Sequence, residues 1–371
     1  MADSRGPMRV ASVVLALARW GLVRRKPANV RRILVLHHLL LGDTLMLTAL
    51  LAKLRTVYPV ADIVMTLSRA YASLYASTPF GVEVAVLDPR DFSTFRSLLR
   101  LPRFDLVILP ADNRWSWLAR AIGARWIVGL AGDRPVHKNW PVDELIPYSA
   151  APTAFCETAA ALVDGPQPAP YRVAEWPAPP VVTVPEFGNN VALLHVGASS
   201  VLKRWPPERW RALAEWLETR GMRVVWSAGP GESAIVDAID AGSSRAKILG
   251  TLSLDALWHV LCRSRLLVCP DTGIAHLGRL VGVPTVTLFG PGSALICGPG
   301  AFFTDMPGRA VTVDPFPCRD QTIQFFREVP WARRCERLYG TSPGQCPRAK
   351  CMEAIDLEAV RTAIESLRVL P

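Results

Sequence analysis

The sequence predicts an α/β protein built from two parallel, doubly wound sheets. Short apolar segments of strand type alternate with helical segments over residues 32–130, and the same alternation returns over residues 190–289. Such alternation is typical of a parallel sheet covered by helices. Clustered prolines over residues 165–188 predict a linker between the two series. A chain of 371 residues is long enough for two domains of ordinary size.

Each helix is indicated by apolar residues at helical spacing, and each strand by a short apolar run with a turn signal after it. The first series predicts strands at 32–37, 61–67, 82–87, 104–109 and 125–130, and helices at 45–58, 69–76, 91–101, 115–122 and near 153–163. The second series predicts strands at 191–196, 222–227, 266–269 and 285–289, and helices at 207–220, up to 239, 253–262 and 274–281. We therefore expect an N-terminal, acceptor-side domain over 31–180 and a C-terminal, donor-binding domain over 181–371, preceded by a basic segment, 1–30. The C-terminal domain is expected to include a cysteine-rich segment, 315–352, and a final helix, 357–367.

Residues 266–291 carry the clearest signal for a binding site. Their first strand ends at Pro270, and Asp271, Thr272 and Gly273 follow immediately before a helix. The amino end of a helix carries partial positive charge and unpaired N–H groups, so it favours an anion such as a phosphate. The alternative is an ordinary strand–helix–strand unit without a ligand.

The charge of the chain indicates an anionic partner. Its net charge of +10 fits nucleic acid, an acidic membrane surface or a phosphorylated substrate. The segment 1–30 predicts a basic amphipathic helix lying on an anionic membrane, with a disordered or packed helix as the alternative. It lacks the cleavage site of a secretory signal, so we expect a cytoplasmic protein. Nucleic-acid binding is disfavoured, because basic and aromatic residues interleave only at 316–337.

Ligands of doubly wound sheets bind at the carboxyl ends of the strands. This rule places four loops around one predicted cleft between the domains. The loops lie at Gly42–Asp43, 197–203, 229–232 and 271–276.

Motifs in these loops resemble glycosyltransferase family 9, the ADP-heptose:lipopolysaccharide heptosyltransferases. They are Leu-Gly-Asp-Thr at 41–44, His-Val-Gly-Ala-Ser at 195–199 with Lys-Arg-Trp-Pro-Pro-Glu-Arg-Trp at 203–210, Gly-Pro-Gly-Glu at 229–232, and Asp-Thr-Gly-Ile-Ala-His at 271–276 with Leu-Phe-Gly-Pro at 288–291. The resemblance implies the GT-B fold, with two Rossmann-like domains and an interdomain cleft. It also implies inverting transfer of heptose from ADP-heptose to a hydroxyl, without a catalytic metal.

Two residues are the candidates for catalysis. Asp43 suits the base that deprotonates the acceptor hydroxyl, and its alternative role is to cap a helix starting at Thr44. Lys203, with Arg204 beside it, suits stabilisation of the departing diphosphate, and its alternative is a solvated basic pair.

The remaining candidates are predicted to contact the donor. Asp271, Thr272 and Gly273 are expected to meet its phosphates or sugar. Glu232 is expected to bind ribose hydroxyls or to complement a helix dipole. His276 either faces phosphate as an imidazolium or belongs to the core. The predicted donor-binding set is completed by Gly42, Thr44, Ser199 and Arg204.

Four of the eight cysteines crowd into an irregular segment, 315–352. They are Cys318, Cys335, Cys346 and Cys351. Since a cytoplasmic protein is not expected to rely on disulfides, they suggest a structural zinc or iron site, with unligated or redox-paired thiols as the alternative. Their spacing resembles the iron-binding finger of the bacterial autotransporter heptosyltransferases, a branch of the same family that glycosylates protein serines.

The resemblance implies ADP-heptose as the donor and lipid A–core oligosaccharide as the acceptor, at the cytoplasmic face of the inner membrane. A protein O-heptosyltransferase is one alternative. A non-catalytic sugar-nucleotide-binding or membrane scaffold protein of the same fold is another.

Overall fold

The computed structural model describes residues 6–20 and 24–371, so parts of the predicted basic segment, residues 1–5 and 21–23, lie outside the described chain. The chain divides into two compact units. The first runs to Ala169 and includes Ile323–Trp331, and the second consists of Pro170–Thr322 and Ala332–Pro371. A short piece of the segment 315–352 therefore belongs to the first unit, although the sequence predicts the whole segment in the second.

The elements follow each other in the alternating order that the sequence predicts. The helices are α1 (Gly6–Ala18), α2 (Leu41–Met46), α3 (Thr48–Val57), α4 (Phe92–Arg100), α5 (Ser116–Ala121), α6 (Phe155–Ala160), α7 (Pro207–Thr219), α8 (Ser233–Asp240), α9 (Leu254–Cys262), α10 (Gly273–Val281), α11 (Lys350–Glu353) and α12 (Leu357–Ser366). The strands are β1 (Arg32–Val35), β2 (Asp62–Leu67), β3 (Val82–Val86), β4 (Leu106–Leu109), β5 (Trp126–Leu130), β6 (Glu144–Ile146), β7 (Val191–His195), β8 (Arg223–Ala228), β9 (Ala246–Leu249), β10 (Leu266–Pro270), β11 (Thr285–Phe289), β12 (Gly308–Thr312), β13 (Ile323–Gln324) and β14 (Arg327–Glu328).

Each unit contains one six-stranded parallel sheet, so the prediction of two doubly wound sheets is confirmed. The first sheet has the order β3-β2-β1-β4-β5-β6, and the second has β12-β11-β10-β7-β8-β9. In both sheets the first strand of the series lies beside the fourth. The chain leaves these two strands in opposite directions, which opens a crevice at their carboxyl ends.

Several edge elements were missed from the sequence for a physical reason. The outer strands β6 and β12 expose much of their surface, so their residues do not form the apolar runs that mark the buried strands. The predicted helix at 69–76 is a 3-10 helix, Arg69–Tyr75.

Helix α1 packs on one side only. Met8, Ser12 and Ala16 are buried, and the helix contacts α5 and α4 of the first unit. Val10 and Val14 lie on the surface with 64% and 59% exposure, and Leu17 is exposed too. The inner side of α1 is therefore packed against the first unit, as the alternative to a membrane-bound helix predicts. Its outer side exposes the apolar residues Val10, Val14 and Leu17. None of the described helices combines the length and hydropathy that crossing a bilayer requires.

Close packing of α10 on its sheet depends on Gly278. A Cβ atom at this position would lie 2.5 Å from Leu267 Cδ2 on β10 and 2.9 Å from Thr285 Oγ1 on β11. Real Cβ atoms do not approach neighbours this closely, so a larger residue would push the helix away from the two strands.

We therefore expect Gly278→Ala to lower the free energy of unfolding by about 1–3 kcal/mol, because the added methyl overpacks the helix–sheet contact. Urea unfolding of the purified variant measures this loss. Gly308→Ala is the matched control, since the nearest atom to its added methyl lies at 3.5 Å, an ordinary contact distance. Equal stability of the two variants would contradict the packing described for Gly278.

Candidate functional site

The candidate donor site lies at the carboxyl edge of the second sheet. β7 and β10 are neighbours in this sheet, and their following loops contain Lys203 and Asp271. The Lys203 ammonium donates to the Asp271 carbonyl oxygen at 2.7 Å and lies 3.1 Å from Asp271 Oδ2. The lysine side chain is 29% exposed and that of the aspartate 8%. A partly exposed cation is thus fixed at the crevice that the strand order opens.

The amino end of α10 lies next to this ion pair. Thr272 is its N-cap residue, with extended backbone and no capping hydrogen bond from its side chain. Its Oγ1 is buried and has no hydrogen-bond partner among the described residues. A threonine at this position ordinarily accepts a bond from the first turn. The hydroxyl and the first-turn N–H groups are therefore available to an anionic oxygen.

His276 lies one turn further along α10 and is buried. Burial lowers its pKa well below the usual value, and the charges of Arg279 and Lys203 lower it further. Arg279 Nη1 lies 3.4 Å from the His276 ring Nδ1 and also donates to the carbonyl of Gly298. Both effects disfavour the charged form of the ring, and contact between His276 and a phosphate stays a prediction.

Glu232 connects two loops at the same edge. Its Oε2 accepts a hydrogen bond of 2.8 Å from the Gly229 N–H, and it also lies against the Cα of Gly197. A side chain at Gly197 would collide with the carboxylate, which explains the glycine in the β7 loop. Glu232 is the N-cap residue of α8, and its side chain makes no capping hydrogen bond to that helix. Its carboxylate is held instead by the Gly229 N–H of the preceding loop.

The neighbouring candidates have different surroundings. Ser199 is exposed, while Ser200, the next residue, accepts the capping bond from Leu202 N–H. Arg204 is partly buried, and its Nε has no hydrogen-bond partner among the described residues. Both Arg204 and Ser199 lie in the loop that ends in the Lys203 contact.

Asp43 lies at the corresponding edge of the first sheet. Helix α2 begins at Leu41 with Leu40 as N-cap, so Asp43 is in the first turn and is not the cap of a helix starting at Thr44. Thr44 is buried, and its hydroxyl donates to the Leu40 carbonyl at 2.9 Å. Gly42 and Asp43 are half-buried. Burial raises the pKa of the nearby Tyr71 phenol, and the Asp43 charge raises it further.

The histidines before this loop have structural contacts. His37 is buried, its N–H donates to Thr66 Oγ1, and burial lowers its pKa to about 3. The His38 ring lies 6.4 Å from the Trp115 ring, which joins the loops after β1 and β4. A cavity of about 370 Å³ opens at the carboxyl ends of β1, β2 and β3. It is lined by His38, Ser68, Arg69, Val86, Asp88, Pro89, Arg90, Asp91 and Thr94.

Two buried arginines near these edges were missed from the sequence. Arg319 donates to the carbonyls of Phe289 and Gly290, after β11. Arg327 donates to the carbonyls of Ala111 and Ala131, after β4 and β5. Both arginines lie in the segment 315–352, whose sequence shows no periodicity, so no local signal marks their distant partners.

The four cysteines of the segment 315–352 lie near one another without forming a metal-binding group. Burial raises the pKa of the Cys318 thiol, and Cys335 and Cys346 raise it further. Burial, followed by Cys318, raises the pKa of Cys351 to about 11. Throughout the described part of the chain, no three His, Cys, Asp or Glu side chains are grouped so that they could hold a metal ion.

Comparison with known proteins agrees with this geometry. The model of glycosyltransferase family 9 (heptosyltransferase) matches residues 92–301, more than half of the chain. Lipopolysaccharide heptosyltransferase 1 of Pseudomonas aeruginosa is 30% identical over 246 residues, which are 62% of this chain. The match spans 64% of that relative, slightly less than two thirds of its length.

Two solved structures share the two-sheet architecture. The E. coli heptosyltransferase WaaC with ADP has a TM-score of 0.68 at 17% identity, over 91% of this chain and 99% of that one. The iron-containing dodecameric glycosyltransferase TibC of enterotoxigenic E. coli has a TM-score of 0.56 at 16% identity, over 93% of this chain and 80% of that one. The expected fold is thereby confirmed, and the family match shows that the chain belongs to glycosyltransferase family 9.

Proposed function

We propose that the protein is an inverting glycosyltransferase that transfers heptose from ADP-heptose to a hydroxyl of the lipopolysaccharide inner core. One observation carries the proposal: a positive, partly exposed lysine and the uncapped amino end of α10 lie together at the crevice of the second sheet. This arrangement suits a nucleoside diphosphate. The family membership and the names of the relatives, lipopolysaccharide heptosyltransferase 1 among them, support heptose as the sugar.

In the proposed reaction, Asp43 accepts the proton of the acceptor hydroxyl as that oxygen attacks the anomeric carbon of heptose. A bond forms between the acceptor oxygen and the anomeric carbon, and the bond from that carbon to the diphosphate oxygen breaks on the opposite face. The electron pair leaves with ADP. Configuration at the anomeric carbon is inverted, because attack and departure occur on opposite faces.

Lys203 stabilises the charge that the leaving ADP gains, and the Thr272 hydroxyl and the first N–H groups of α10 donate to its phosphate oxygens. Arg204 adds positive charge beside Lys203. Glu232, which the Gly229 N–H orients, accepts from ribose hydroxyls. Asp271 keeps the Lys203 ammonium in position, and its second carboxylate oxygen accepts from a sugar hydroxyl.

The proposal includes binding at the cytoplasmic face of the inner membrane, where a lipid-linked acceptor is presented. The outer side of α1 exposes Val10, Val14 and Leu17 at helical spacing, where a solvated helix would carry polar residues. The guanidinium of Arg24 lies 4.5 Å from the centre of the Trp20 ring. Tryptophan and arginine side chains favour the headgroup region of anionic membranes.

A structural metal on the four cysteines is a separate proposal. It is supported by the mutual influence of the thiols on the pKa of Cys318 and Cys351 and by the fold shared with TibC, an iron-containing enzyme. As they stand, the thiols are not grouped to hold an ion, so binding would require them to converge. No step of the reaction depends on this metal.

The role of Asp43 as the base is tested by substitution. We expect Asp43→Asn to lower heptose transfer about 10²–10⁴-fold while leaving ADP-heptose binding unchanged, because the amide cannot accept the proton. Transfer is measured as ADP release with heptose-deficient lipopolysaccharide as acceptor. Asp62→Asn, an exposed aspartate at the start of β2, is the control.

Undiminished transfer by Asp43→Asn would exclude this residue as the base. In the same assay, transfer by the wild type to a protein serine alone would establish the protein O-heptosyltransferase alternative. Release of no ADP with either acceptor would favour a non-catalytic sugar-nucleotide-binding protein.

The role of Lys203 at the diphosphate is tested in the same way. Lys203→Met should weaken ADP binding by about 10- to 100-fold, because a charge-assisted hydrogen bond contributes about 1.5–3 kcal/mol. Isothermal titration calorimetry measures the change. Lys247→Met, on β9 of the same sheet, removes an equal charge and should bind ADP as the wild type does. Equal weakening of ADP binding by both substitutions would show that only the net positive charge matters, and it would contradict a direct contact of Lys203 with the diphosphate.

The metal content of the purified protein tests the proposed structural site. The wild type should contain about one equivalent of iron or zinc per chain, and Cys346→Ser should contain much less. Elemental analysis of protein purified without chelators gives both values. A wild type that contains neither iron nor zinc would rule out the proposed structural metal. The proposed transfer reaction does not depend on this result.

A further inference from the structure

The hairpin of β13 and β14 has an unusual turn. Its two turn residues, Phe325 and Phe326, both have left-handed backbone, with φ of 46° and 63°. Turns with two such residues favour Asn-Gly, because a bulky side chain in this conformation is unfavourable. Backbone strain of this kind persists only where the surrounding structure enforces it, and it clusters at functional sites.

The surrounding structure enforces this turn through Arg327. The guanidinium is 2% exposed and donates to the Ala111 carbonyl at 2.7 Å and to the Ala131 carbonyl at 2.9 Å. It also lies 3.7 Å from the buried Asp133 carboxylate. Since Ala111 follows β4 and Ala131 follows β5, the hairpin is attached to the carboxyl edge of the first sheet.

The two phenylalanine rings of the turn have different surroundings: one packs against the first unit, and the other is exposed. The ring of Phe325 lies 4.7 Å from that of Phe155 on α6, so it secures the hairpin. The Phe326 residue is 49% exposed. Its carbonyl accepts from the Arg134 N–H at 3.0 Å, which fixes the backbone of the exposed residue. The strained turn therefore exposes the Phe326 ring to solvent, while hydrogen bonds fix the backbone that carries it.

Two cations accompany the exposed ring. Lys138 Nζ lies 4.2 Å and Arg114 Cζ lies 5.1 Å from the centre of the Phe326 ring. Lys138 pairs with Asp133 at 3.3 Å, and Arg114 pairs with Asp112 at 2.7 Å. These two carboxylates are 0% and 5% exposed, whereas the Arg114 side chain is 44% exposed. The Lys138 side chain is 15% exposed, so Arg114 is the cation that this surface presents outward, and the balancing carboxylates lie inside.

This group lies on the same sheet edge as Asp43. β1 and β4 are parallel neighbours, so the loops after them share one edge. The contact of the His38 ring with the Trp115 ring joins these loops directly. The loop that carries Asp43 and the loop that carries Arg114 are therefore neighbours on this edge.

We propose that Phe326, with Arg114 and Lys138, forms an acceptor subsite for a sugar ring that carries a carboxylate or a phosphate. The apolar C–H face of a pyranose packs on the exposed ring, and the guanidinium of Arg114 binds the anionic group. The strained turn keeps the ring at this edge. The inference rests on the proposed function, because it names the part of the acceptor that this surface recognises.

The test compares substitutions of Phe326 in the full-length protein. Phe326→Asn should raise the apparent KM for heptose-deficient core oligosaccharide about five- to tenfold, with ADP binding unchanged. The same variant should raise Tm by roughly 2–4 °C, because asparagine tolerates the left-handed backbone. Phe326→Tyr retains the ring and should keep the KM of the wild type. Tyr339→Ala, an exposed aromatic residue of the second unit, is the control.

Phosphatase treatment of the oligosaccharide distinguishes a phosphate from a carboxylate as the group that Arg114 binds. If the bound group is a phosphate, phosphatase treatment of the oligosaccharide should remove the effect of Arg114→Gln on KM, and if it is a carboxylate the effect should persist. Binding of the oligosaccharide, measured by calorimetry without donor, distinguishes this proposal from the proposed function. Binding that depends on Phe326 without heptose transfer would retain the subsite and reject the function.

An unchanged KM in Phe326→Asn, alongside normal transfer by the wild type, would overturn the subsite and leave the function intact. Loss of both stability and binding in Phe326→Asn would also overturn it, because the ring would then serve the fold. An oligosaccharide that neither binds nor accepts heptose would reject the subsite and the function together.

Discussion

The ion pair of Lys203 with Asp271 depends on the strand order of the second sheet, and the proposed chemistry depends on the pair. β7 and β10 are neighbours, and the loops that follow them would not meet in a sheet wound in another order. The aspartate holds the ammonium group beside the amino end of α10, where Thr272 leaves its hydroxyl without a partner in the described chain. Fixed positive groups of this kind stabilise developing negative charge without first having to reorganise.

The first sheet repeats the same strand order with a different set of side chains. Its β1 loop supplies the Asp43 carboxylate, and the edge beside it carries arginines and aromatic rings. Such a set suits a polyhydroxylated, anionic acceptor better than a diphosphate. The proposed donor and acceptor sites thus share one architecture, because the buried strands are alike and only the loops after them differ.

Much of this could be predicted from the sequence, since the buried strands are apolar runs and the site loops directly follow them. β1, β4, β7, β10 and β11 were each marked in this way. The edge strands β6 and β12 were not, because half-exposed strands lack that signal. The position of the hairpin at 323–328 could not be predicted for another reason. Its hydrogen-bond partners, Ala111 and Ala131, lie about two hundred residues away in the chain. Local patterns contain no information about such a contact. The lowered pKa of His276 likewise follows from burial and from neighbouring cations, which only the folded chain brings together.

The central claim is that Lys203 serves the diphosphate and that Asp271 holds it in position. A crystal structure of the protein with ADP-heptose tests this most directly. The account predicts Lys203 Nζ within about 3 Å of a phosphate oxygen, with the Thr272 hydroxyl and the first N–H groups of α10 on the same diphosphate. A diphosphate bound away from the α10 amino end and out of reach of Lys203 Nζ would contradict it.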